Sequence, residues 1–188
     1  MTPLLLAPPA LEPLSLAEAR AWLRLDTTDE DATVTALIRA ARGLVEQKTR
    51  RLLVTQQWRL VLDAWPVAGC LDLPLAPVRD ILALRVFGQD GSAITVAPAS
   101  VRLEAGRDPA RIVIEGPLPR PARASAGIEI DLNCGYADDP AEVPEPLRHA
   151  VRLLVGRWFE HRGDNPAAAG TMPDDIALLI APFRRPRL

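Results

Sequence analysis

The chain has 188 residues, a formal charge of -2, 48% hydrophobic and 24% charged residues, which is enough for one well-buried core and ordinary for a folded soluble protein. That charge excludes a chain whose whole surface grips nucleic acid, because phosphate binding needs a density of cations. Two cysteines with no CxxC pair, and only two histidines, exclude a structural zinc site and leave free thiols as the expectation.

The apolar N-terminus, MTPLLLAPPALEPL, lacks a basic flank and is interrupted by prolines, so it reads as a poor signal peptide. No run of about 18 apolar residues occurs, so no membrane span and an intracellular chain are expected. The first predicted helix covers about residues 16–25. Ser15 and Glu18 fit a capping box, and Leu16, Ala19, Trp22 and Leu23 recur at helical spacing. The acidic run 26–31 lacks the glycine and terminal glutamate of a calcium loop and reads as the N-terminus of a second helix, 31–52. Its apolar stripe is Val34, Leu37, Ile38, Ala41, Leu44, Val45 and Leu52. The opposite face carries Arg39, Arg42, Glu46 and Arg50, with Glu46 and Arg50 spaced as an i,i+4 pair. Ala40, Ala41 and Gly43 offer a close approach for another helix.

From Val54 the period changes to two. Strands are predicted at 54–62, 78–86, 93–96, 111–115 and 127–132, with a hairpin turn at 88–91. The Pro- and Arg-rich stretch 116–123 reads as an exposed loop. A third helix follows Pro144, at 146–162, with Leu147, Val151, Leu154, Val155, Trp158 and Phe159 on one face. A short fourth helix is expected at 174–181, then a basic tail, 184–188. The fold class is therefore α+β: a helical bundle in one domain, with an antiparallel β-rich insertion at 54–133 between helices two and three.

No phosphate loop, dinucleotide fingerprint or nucleophile elbow is present. Cys134 and His149 can be paired as nucleophile and base only on paper, since buried inert cysteine is the commoner case. His149 and His161 lie twelve residues apart on the third helix, about 18 Å, too far to share a metal. No cofactor, metal or catalytic residue is expected. The 116–123 loop and the basic tail support one alternative, an accessory nucleic-acid-binding protein.

Phrases along the chain resemble one known family. Residues 16–26 are similar to an opening "LxEAKxHLRID", and Asp29-Glu30-Asp31 with Leu37 to Ala41 to "DEDxxLxxLIxAA". Residues 73–78 resemble "LPxxPV", Cys134-Gly135-Tyr136 "AGY/AGF", residues 143–150 "VPxxLRxAI", and the segment ending at Arg184 a closing "LLxPYR" with Phe183 at the tyrosine position. In this order, over about residues 11–187, they resemble the head–tail connector (adaptor) proteins of long-tailed phages, in the branch with a β-rich insertion seen in prophages and gene transfer agents. Trp22, where polar residues or histidine are common, and Cys134, in place of a small residue, depart from the pattern. The resemblance implies a structural, non-enzymatic subunit of a ring, commonly of twelve copies, at the head–tail junction of a virion or phage-like particle assembled in the bacterial cytoplasm. Its implied partners are the portal protein, the tail-side closure (stopper) protein, further copies of itself, and double-stranded DNA passing through the channel without sequence-specific binding; no membrane is implied. The C-terminal segment, with Ile176, Leu179, Ile180, Phe183, Arg184, Arg185 and Arg187, is expected to reach the portal. Arg39, Arg42, Glu46 and Arg50 are expected between subunits.

Overall fold

The computed structural model describes residues 1–161 and 172–185. Among these the fold is α+β, with four α-helices and two antiparallel sheets. The chain divides into two compact units, residues 1–10 with 55–135, and residues 11–54 with 136–188.

The first unit holds the strands: β1 (Thr2–Ala7), β2 (Gln56–Leu62), β3 (Cys70–Asp72), β4 (Val78–Phe87), β5 (Ala93–Thr95), β6 (Val101–Glu104), β7 (Arg111–Ile114) and β8 (Ile128–Cys134). Five of them form one sheet in the order β1-β2-β8-β4-β5, and three form another in the order β3-β7-β6. Register explains the alternation. Leu60 pairs with Ile130 and Leu62 with Ile128, while Leu84 and Val86 meet the same two residues from the other side. All six side chains are buried, so alternate residues at this end of the three central strands enter the core. The 88–91 turn forms as expected, closed by the Gly88 amide donating to the Ser92 carbonyl at 2.9 Å.

Three strands depart from the sequence reading. β3 and β6 were not expected. β1 overturns the expectation that all strands lie between helices two and three: residues 2–7 precede the first helix and pair antiparallel with β2. Three consecutive leucines between prolines carry no period of two, so this strand has no pattern to read.

The second unit holds α1 (Leu16–Leu23), α2 (Asp31–Thr49), α3 (Glu145–Glu160) and α4 (Asp174–Ile180). The capping box forms: Ser15 Oγ accepts from the Glu18 amide at 3.2 Å, and Glu18 Oε2 accepts from the Ser15 amide at 2.9 Å. Helix α1 stops at Leu23 and α2 at Thr49, each a little early, because Arg24 and Arg50 adopt left-handed backbone at φ 55° and 57°. The core contains Val34, Ile38, Ala41 and Val45 of α2, Leu147, Val151, Leu154 and Val155 of α3, and Ile176 and Ile180 of α4. Close helix approach does not occur at Gly43, around which a Cβ would meet nothing. It occurs at Gly156 of α3, where a Cβ would stand 3.0 Å from Trp22 Nε1.

Candidate assembly surfaces

On the face of the five-stranded sheet opposite its core, three strands share one ion cluster. Asp131 of β8 accepts from Arg59 of β2 at 2.7 and 3.0 Å, and from Arg85 of β4 at 2.7 Å. Glu129, two residues back on the same face, adds a contact to Arg59 at 3.0 Å. Register sets this up, since Arg59 stands opposite Asp131 and Arg85 opposite Glu129. Burial by itself would raise the Asp131 pKa, but the hydrogen bonds and charges of the two arginines outweigh it and hold the carboxyl below its ordinary value. The sequence reading did not single out these four residues. Their signal was isolated charges on three separate strands, Arg59, Arg85 and the Glu129/Asp131 pair, which meet on one face only once register is known.

The three-stranded sheet is laced at its surface by Arg111 with Asp72 at 2.6 Å and Arg102 with Glu115 at 2.5 Å. The 116–123 loop is anchored as well as exposed. Its Pro119 carbonyl accepts from Trp65 Nε1 at 2.8 Å, and the Arg123 guanidinium lies 4.9 Å from the Phe87 ring centre.

In the helical unit, Arg42 is drawn inward. Its Nε donates to Glu12 at 2.8 Å and its NH1 to Glu46 at 2.9 Å, while Glu46 Oε1 also accepts from the Leu53 amide at 2.9 Å. Arg39 points outward, its side chain 69% exposed, and Arg50 is exposed at the helix end. The expected inter-subunit set therefore contains two residues tied up within the chain and two at the surface.

The C-terminal segment is less free than its sequence suggests. Ile176 and Ile180 are core residues at 1% and 0% exposure, the Phe183 carbonyl accepts from Arg51 Nε at 2.8 Å, and the Arg185 amide donates to the Thr49 carbonyl. Leu179 and Phe183 are half-buried against that core, whereas Leu178 is 75% exposed and Arg184 is exposed. Arg187 lies outside the described residues. Beside α4 a groove of about 320 Å³ is lined by Trp22, Leu153, Gly156, Arg157, Glu160, His161, Asp175 and Ile176. Trp22 stands 47% exposed there, with the Arg152 guanidinium 5.8 Å from its ring and His149 edge-on at 6.4 Å.

Cys134 is fully buried in β8, and burial pushes its thiol up to about 12, so it is no nucleophile. Among the described residues no group of three or more His, Cys, Asp or Glu could hold a metal ion, and no helix is long and apolar enough to cross a membrane.

Against solved structures, the whole chain matches a chain in the neck of an empty gene transfer agent (GTA) particle computed with C6 symmetry. The identity is 33% and the TM-score 0.84, over 100% of this chain and 97% of that one. This chain belongs to a family of gene transfer agent neck proteins. A second chain, from the virion of a native gene transfer agent particle, matches at 31% identity and TM-score 0.84 over the same shares. A third, from the neck of a native GTA particle computed with C12 symmetry, matches at 30% and 0.80, again over 100% and 97%. No family model and no curated protein sequence matches. The neck protein is thus placed in a phage-like particle, among relatives that are structural components of it.

Proposed function

We propose that this neck protein is a head–tail connector (adaptor) subunit. Twelve copies form a ring between the portal and the tail-side closure protein, and double-stranded DNA passes through the channel without sequence-specific binding. One observation carries the reading: the likeness to a chain from a neck computed with C12 symmetry extends over the full length of this chain. The cross-strand ion cluster and the paired surface arginines suit a scaffold that must hold its shape while DNA moves past. On the helical unit, the portal contact falls to the outward side of the C-terminal segment, Leu178 with Arg184, because Ile176 and Ile180 are occupied by their own core. Of the four residues expected between subunits, Arg39 on α2 and Arg50 just past its end are left at the surface to meet a neighbouring subunit.

The test is cryo-electron microscopy of particles from cells with and without the gene. The expected result is a ring of this chain below the portal in the first, and heads without tails in the second. Normal tails in its absence, with no density that fits the chain, would end the reading.

A further inference from the structure

The N-terminal strand is an unusual edge. Among the described residues β1 ends the five-stranded sheet and pairs with β2 alone. Leu4, Leu5 and Leu6 are 48%, 50% and 43% exposed, so leucines stand open on both faces of one strand. Residues 1–7 carry no charged side chain. An edge that faces water is ordinarily blunted by charge, and an apolar uncharged one is a template for pairing with another chain. The opposite end of the same sheet repeats the chemistry. β5, Ala93-Ile94-Thr95, is exposed at all three residues, uncharged, and among the described residues pairs with β4 alone. Ile94 is 51% exposed.

We propose that β1 of one copy docks against the β5 edge of the next copy, so that the five-stranded sheets join around the ring. This rests on the connector reading above. A closed cyclic ring needs a head-to-tail interface, in which two different patches of the same chain meet. The two ends of this sheet supply such a pair. The sheet is antiparallel throughout, so its first and fifth strands run in the same direction. A twelvefold rotation turns successive copies only slightly and preserves that direction, bringing the two edges together as parallel neighbours. Other occupants fit less well. DNA would select cations, and these edges have none.

The experiment uses particles. Leu5→Cys and Ile94→Cys are combined with Cys70→Ser, leaving Cys134, which is buried, as the remaining native thiol. Purified particles are treated with a short bis-maleimide and run on a denaturing gel. The expected result is a ladder at multiples of the 20.4 kDa chain, absent when either new cysteine is present alone. A chain that is present as a neck ring yet stays monomeric on the gel, or links only to a different particle protein, overturns the inference and leaves the connector reading standing. A chain absent from wild-type particles ends both. As a second variant, Leu5→Asp/Leu6→Asp is expected to fold, by circular dichroism, and to be incorporated at least ~10-fold less. Unchanged incorporation also overturns the inference.

Discussion

At the scale of single residues, Asp131 shows how a sheet face can be held by charge. It is 6% exposed, and two arginines from two neighbouring strands satisfy it. Asp131→Asn would weaken the charge-assisted bonds to Arg59 and Arg85 and leave Glu129 as the remaining anion beside them; because both guanidinium groups are partly exposed, the unfolding free energy is expected to fall by about 1–2 kcal/mol, read by urea titration. The pH dependence follows from the lowered pKa. A carboxyl held below its unfolded value of about 3.9 stabilises fully above that pH and loses its contribution as pH falls through the folded value. Acid unfolding of the variant should therefore be less steep below about pH 4 than that of the parent. The two thiols also separate here. Cys70 is half-buried and Cys134 fully buried, so a thiol reagent should label one cysteine in the folded chain and both after denaturation. Fast labelling of both would contradict the packing of β8.

At the scale of elements, α4 combines two duties. Its inner residues close the helical core and its outer residue Leu178 faces away. Ile180→Ala should destabilise by about 2–4 kcal/mol, because it opens a cavity in a filled site. Leu178→Asp should change stability by no more than about 0.5 kcal/mol, yet reduce the yield of tailed particles. If instead Ile180→Ala were silent in a urea melt, α4 would not be core, and the segment would be free for a partner as its sequence suggests. The edges of the five-stranded sheet divide in the same way: the turn and strand signals announced β5, while the leucine run hid β1.

At the scale of the whole molecule, 24 acidic residues against 22 basic ones leave no excess cation for a DNA backbone. Of the arginines in the 116–123 loop, Arg123 lies over the Phe87 ring, and Arg59 and Arg85 of the sheet are held by Asp131. In a gel-shift titration at about 0.15 M salt, the protein should give no retarded DNA complex. A salt-sensitive submicromolar complex would favour the accessory nucleic-acid-binding role instead.

By itself the sequence determined the class of the fold, the four helices, the central strands and the β4–β5 hairpin, because each carries its own period or turn chemistry within a few residues. The capping box at Ser15 and Glu18 is local in the same sense. Its ordered phrases pointed toward a particle neck, since they are spread along the length over which the solved neck chains match. Tertiary structure decided the remainder. Which charges meet depends on register between strands up to 72 residues apart, as with Arg59 and Asp131. Which face of α4 is buried depends on α3, and which strand ends the sheet depends on a partner some 55 residues away, Leu4 opposite Arg59. A period is a property of neighbours in the chain, whereas an ion pair, a core and an open edge are properties of neighbours in space.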